Sequence, residues 1–123
     1  MKNPLVLAYI GDTVYDMYIR TSIVLKNDGG VNGLNKLATD LVNAHAQSEA
    51  AFLLLDTLSE EEQYIFKRGR NARPATTPKN MTTGDYHRAT GLEALIGYLF
   101  LTGRDDRIEE IIELILEGNI SGR

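Results

Sequence analysis

The sequence predicts an all-α fold, a bundle of about six helices around one core with no sheet. Three observations predict it. Apolar residues recur at helical spacing, as at Ile108, Ile111, Ile112 and Ile115. No stretch alternates with the period of two that marks a half-buried strand. Helical stretches are separated by residues that stop and start helices, among them Asn27-Asp28-Gly29-Gly30, Asn43, Ser59-Glu60-Glu61-Glu62 and Gly103. With 123 residues there is material for one domain spanning 1–123 and too little for two.

The first helix is expected from Pro4, which suits a first turn, to Lys26, before the turn residues 27–30. The second covers Leu34–Val42, with Leu34, Leu37, Ala38 and Leu41 on one face. The third runs from Ala44 to Leu55 behind a cap at Asn43. Ser59 and Glu62 form a capping box that opens the fourth, which closes near Gly69. Arg70–Thr83, with Pro74 and Pro78, reads as one long irregular segment. The fifth helix is expected over Gly84–Thr102, stopped by Gly103, and the sixth over Asp105–Glu117, stopped by Gly118.

Cysteine is absent, which excludes disulfides and thiolate metal sites. No stretch approaches the roughly 20 apolar residues of a membrane span, and no signal-peptide pattern follows Met1. These features predict a cytoplasmic protein with no membrane partner. The net charge is −4, yet residues 67–88 hold six basic residues (Lys67, Arg68, Arg70, Arg73, Lys79, Arg88) against Asp85 alone. That local +5 leaves −9 for the rest of the chain. It reads either as a directed contact with an anion or as a solvated loop.

Two helices carry a carboxylate where apolar residues dominate. In LAYIGDTVYDMYIR, Leu7 to Arg20, Asp12 follows Gly11 in a segment that reads as buried on almost every face. In ATGLEALIGYLFL, Ala89 to Leu101, Glu93 lies between Gly91 and Gly97. Glycines inside helices cost about 1 kcal/mol each against alanine and suggest close backbone approach. If the two helices cross at their glycines, Asp12 and Glu93 face each other. Two acids at such a crossing repel, and a hard divalent cation resolves the repulsion. Oxygen ligands without His or Cys point to Mg²⁺, for which Mn²⁺ can substitute. The other reading pairs each acid inside the fold, Asp12 with a tyrosine hydroxyl or Arg20, Glu93 with Arg88 or a helix end.

These same segments carry a resemblance. LAYIGDTVYDMYIR resembles the signature helix of the ribonuclease III family, and EALIGYLFL resembles its second catalytic helix. RGRNARPATTPKN, Arg68 to Asn80, is similar to the Mini-ribonuclease III group, whose members consist of the catalytic domain alone. The likeness runs in order from Leu7 to Arg123. It implies an all-helical homodimer that cleaves double-stranded RNA with Mg²⁺ and matures the ends of 23S ribosomal RNA precursors, with room for an assisting ribosomal protein. It implies that Asp12 and Glu93 are the catalytic, metal-holding pair.

The family's larger members carry further acids where this chain has Ala8, Thr90 and, at the third helix, Ala44 or His45. Those losses fit the smaller group and thin the metal shell. Asp16 and Asp85 lie at helical spacing from the pair, as outer partners or as solvated charges. Without a double-stranded-RNA-binding domain, the chain must grip RNA itself. The implied contacts are Arg68, Arg70, Asn71, Arg73, Lys79 and Asn80, with Thr76 and Thr77 beside them. Arg88 is expected to pair with Asp85, and His45 and Gln47 at the start of the third helix are expected at the surface, as filler or as further RNA contacts. Two other functions compete: an RNA-binding protein of the same fold that has lost its chemistry, and a helical protein-interaction module.

Overall fold

The computed structural model describes residues 2–73 and 83–121. Among these it contains α1 (Pro4–Lys26), α2 (Val31–Leu41), α3 (Ala44–Leu54), a 3-10 turn (Leu55–Thr57), α4 (Glu60–Asn71), α5 (Thr83–Leu101) and α6 (Asp105–Ser121), and no strand. The all-α expectation holds.

The starts follow local chemistry. Asn3 Oδ1 accepts from the Leu5 amide at 2.8 Å, with Pro4 in the first turn. Asn43 Oδ1 accepts from the Ala46 amide at 2.9 Å. At α4 both halves of the capping box are made: the Glu62 amide donates to Ser59 Oγ at 3.1 Å and the Ser59 amide to Glu62 Oε1 at 2.9 Å. Glu62 does more than cap. It is 5% exposed, and Arg107 of α6 donates to it through Nε at 2.7 Å and Nη2 at 2.9 Å. That guanidinium holds the Glu62 carboxyl below its usual range and fastens α6 to the start of α4.

Three boundaries differ from the sequence reading. α2 begins at Val31 rather than Leu34, and α4 runs through Gly69 to Asn71, taking Arg70 out of the expected loop. α6 continues past Gly118 to Ser121. Gly118 lies within the helix, where a Cβ would stand 2.6 Å from Leu53 Cδ1, the tip of an exposed side chain of α3 that can swing aside. Gly103 does stop α5, at φ 73°, a conformation glycine adopts at little cost.

α5 is the central helix. It packs against α1, α3, α4 and α6. From Ala89 to Leu99 its residues are buried except Glu93 and Tyr98, which are partly exposed. A helix buried on nearly all sides needs apolar or small residues all round, and α5 has them. α1 and α4 approach through glycines. A Cβ on Gly11 would lie 1.7 Å from the Glu93 carbonyl oxygen, and one on Gly97 2.0 Å from the Leu7 carbonyl oxygen. The crossing of α1 and α5 at these glycines is as the sequence suggests. Gly91 faces a different partner, Phe66 of α4. Ile108, Ile111, Ile112 and Ile115 close the core from α6, each burial contributing roughly 1.5–3 kcal/mol.

Candidate active site

The helix crossing brings Asp12 and Glu93 together. Both line one open cavity of about 510 Å³, with Ala8, Tyr9, Tyr86 and Thr90. Their placement corrects one expectation. Asp12 is exposed at the cavity, and the more deeply placed acid is Glu93, which is partly exposed. α1 is buried along Leu7, Gly11, Val14, Tyr15 and Ile19, and Asp12 turns away from that stripe.

The two acids are close enough to act on each other: burial first, and then the neighbouring Asp12 carboxyl, pushes the Glu93 pKa up to about 8. The internal ion pairs offered by the sequence do not form. Arg20 binds Asp16 at 2.5 Å and Asn35 at 3.3 Å. Arg88 donates to Ser48 Oγ at 2.6 Å and to Asp85 at 3.2 Å, the latter as expected. Asp85 is held further by His45 at 3.1 Å. Asp16 and Asp85 are therefore engaged by cations of their own.

Where a fuller acid set would stand, Ala8 and Thr90 are 7% and 6% exposed, and the Thr90 hydroxyl donates back to the Tyr86 carbonyl at 2.9 Å. Among the described residues, no group of three or more His, Cys, Asp or Glu side chains could enclose a metal. The site offers two adjoining carboxyls at an open, water-accessible cavity. That donor set fits a hard divalent cation which keeps most of its shell for water and a substrate phosphate.

Sequence reasoning missed Gln47. It is 4% exposed, and its Nε2 donates to Glu93 Oε2 at 3.3 Å. The signal was present: Gln47 shares a helical face with Ala50, Ala51 and Leu54, all buried. His45 is at the surface as expected, between Glu49 and Asp85.

Of the residues implied for RNA contact, Arg68 and Arg70 lie in the last turns of α4, with Asn71 at its end and Arg73 exposed beyond it. Arg68 stacks over Tyr64 with 5.9 Å to the ring centre. Arg70 Nε donates to Asn71 Oδ1 at 3.3 Å. Lys79 and Asn80, with Thr76 and Thr77, lie outside the described residues.

A family model, "Ribonuclease III domain", matches residues 5–104. The chain belongs to the ribonuclease III family. It is 49% identical over 115 residues to a Mini-ribonuclease 3 of Thermoanaerobacter sp. (strain X514), covering 94% of this chain and 81% of that protein. It is 50% identical to one of Clostridium tetani, covering 93% and 76%, and 40% identical to one of Staphylococcus aureus, covering 94% and 88%. A crystal structure of a Fusobacterium nucleatum protein superposes with TM-score 0.85 at 33% identity, over 96% of this chain and 94% of that one. Like the ribonuclease III family at large, the chain is an endoribonuclease of double-stranded RNA, and the family works with divalent metal ions. Among the described residues no helix is long and apolar enough to cross a membrane.

The raised pKa of Glu93 has a consequence for the stability of the metal-free protein. Its folded pKa, about 8, lies above the unfolded value near 4.5, so the folded state binds more protons between them. This contribution is fully present below about pH 4.5 and is lost as pH rises to about 8. Glu93→Gln keeps the shape and removes the titration. In EDTA the variant is expected to melt above wild type at pH 8.5, with the gap closing towards pH 4.5. Melting curves across that range check this, and a pH-independent gap contradicts it.

Proposed function

We propose that the chain is an Mg²⁺-dependent catalytic domain, one unit over residues 1–123, that acts as a cytoplasmic homodimer on 23S ribosomal RNA precursors. The observation that carries this reading is the Asp12–Glu93 pair, two carboxyls brought by the helix crossing to one open cavity. Asp12 and Glu93 are the catalytic residues and the metal ligands, and Mn²⁺ can substitute. A bound Mg²⁺ there supplies a lowered water pKa and charge stabilisation at the phosphate under attack. Asp12 supplies one carboxyl from the exposed side of the cavity, and Glu93 supplies the second from the central helix. Ala8 and Thr90, one helical turn from Asp12 and Glu93 in the lining, add no charge to repel a phosphate. The name Mini-ribonuclease 3 of the curated relatives supports the role in ribosomal RNA maturation.

Arg68, Arg70, Asn71, Arg73, Lys79 and Asn80 form the RNA grip. They bind phosphates and 2′-hydroxyls across the shallow minor groove, where geometry rather than base sequence is read. Each cation that neutralises a phosphate contributes roughly 0.7–0.9 to the slope of log affinity against log salt. Removing Arg70 and Arg73 is therefore expected to flatten the slope by about 1.5 units. Filter binding of a short duplex from 50 to 300 mM salt, on the order of the usual range, measures it. An unchanged slope removes these residues from the interface.

The exposed side of α1 supports the dimer. Val6, Tyr9 and Met17 are 51%, 83% and 51% exposed in a single copy. Aromatic and methionine side chains suit a buried interface, and a two-fold contact places one site against each strand of a duplex. Light scattering at micromolar concentration is expected to give twice the 13.7 kDa chain mass, and a monomer refutes the assembly. The whole reading is tested by incubating the protein with double-stranded RNA in Mg²⁺ and in EDTA. Cleavage that requires metal supports it. RNA binding with no cleavage in either favours a binding protein of the same fold.

A further inference from the structure

Two polar side chains lie behind Glu93 in the core, and neither lines the cavity. Gln47 of α3 is 4% exposed and donates Nε2 to Glu93 Oε2 at 3.3 Å. Tyr15 of α1 is one helical turn beyond Asp12 and is 0% exposed. Its hydroxyl has no hydrogen-bond partner among the described residues. It is close enough to Glu93 for that carboxylate's charge to add to burial in pushing the phenol up. An orphan buried hydroxyl costs roughly 1–3 kcal/mol, and a buried amide with one partner is little better placed. Phenylalanine and leucine would fill the same space without that cost.

The chemistry of the two groups is selective. Both are neutral donors. A lysine or arginine behind Glu93 would also hold it, but would cancel the charge a cation needs. A neutral amide or hydroxyl can donate to a carboxyl without cancelling the charge it offers a cation. Gln47 takes one carboxylate oxygen and so fixes the rotation of the group.

We propose that Gln47 and Tyr15 are positioning residues for Glu93: Gln47 holds one carboxyl oxygen from the core, and the unpartnered Tyr15 hydroxyl is the donor free to meet the group as it turns to a divalent cation in the cavity. The proposal rests on the reading of Asp12 and Glu93 as the metal pair. Loss of such outer partners of a ligand typically weakens metal affinity about 10- to 100-fold.

The test is direct Mn²⁺ binding to the RNA-free protein, followed by electron paramagnetic resonance. Wild type, Gln47→Leu, Tyr15→Phe, Asp12→Asn and Glu93→Gln are compared. The expected result is Mn²⁺ affinity weakened about tenfold or more in Gln47→Leu and severalfold in Tyr15→Phe. The metal concentration for half-maximal cleavage should rise in parallel. Melting temperature in EDTA and duplex affinity in EDTA should not fall. A purely structural role would lower the melting temperature and leave Mn²⁺ affinity alone. Wild-type affinity in both core variants overturns the proposal while leaving the metal pair intact. No Mn²⁺ binding by wild type, or binding that survives Asp12→Asn and Glu93→Gln, overturns the metal pair itself and the proposal with it. Should Gln47→Leu not fold, Tyr15→Phe, which lacks one oxygen atom only, decides the matter: unchanged affinity there overturns it.

Discussion

Asp12→Asn and Glu93→Gln are each expected to slow cleavage of double-stranded RNA by at least about a hundred- to a thousandfold, with duplex affinity in EDTA within about twofold of wild type. Both substitutions are isosteric, so neither disturbs the crossing of α1 and α5. Each removes one of two carboxyls from a site where, among the described residues, no third acid stands in reserve. The loss of one ligand is therefore half of what the protein contributes. A larger acid set would blunt the effect, because neighbouring carboxylates could re-form a site. Ala8 and the back-bonded Thr90 cannot. The variants should differ in one respect. Glu93→Gln relieves a buried carboxyl, so in EDTA it should be no less stable than wild type at neutral pH. Asp12 is exposed, so Asp12→Asn should change stability little. Single-turnover cleavage of an end-labelled duplex at saturating Mg²⁺ gives the rates. An Asp12→Asn enzyme within tenfold of wild type would remove Asp12 from the chemistry.

The helices were legible where their signals are local. Pro4, Asn43, the Ser59–Glu62 box and Gly103 act through the backbone next to them, and each stands where the sequence puts it. The Gly11–Gly97 crossing was legible because glycines in an apolar helix have few other uses. What failed needed tertiary knowledge. Gly118 looks like a stop, yet α6 runs through it to Ser121, packed beside Leu53 of α3. Asp12 looks buried because α1 is apolar on most sides, yet the helix is covered on one side only, and Val6, Tyr9, Asp12 and Met17 are left outside. Gln47 looks like a surface residue by type. Its helical face says otherwise, and only the position of Glu93 explains why a polar group is tolerated there. The candidate acids could be read from sequence, but the residues that hold them could not.

Gly11→Ala is expected to destabilise the fold by about 3 kcal/mol or more. Helix propensity alone argues the opposite way, since alanine is favoured over glycine by about 1 kcal/mol in a helix interior. Geometry decides the sign. The added Cβ would sit 1.7 Å from the Glu93 carbonyl oxygen, 2.7 Å from its carbonyl carbon and 2.9 Å from the Gly97 nitrogen. All three are backbone atoms of α5, so no side chain can swing aside. α1 must lift from the central helix, and the contacts of Leu7, Tyr15 and Ile19 loosen together. Gly33→Ala is the control. Gly33 lies in α2, and a Cβ added to it would meet nothing within 4 Å, so the same change there should stabilise by about 0.5–1 kcal/mol. Urea denaturation of the two variants separates propensity from contact. A Gly11→Ala protein as stable as wild type would mean that the crossing can open without loss. The clash falls on the backbone of Glu93 itself, and Asp12 is the next residue along α1. Any separation that relieves the clash must also part the two carboxyls. In the fraction that remains folded, metal affinity should fall with stability, whereas Gly33→Ala should leave it unchanged. One pair of atoms, a missing Cβ and a carbonyl oxygen, thus sets both how tightly the core closes and how near the two acids stand.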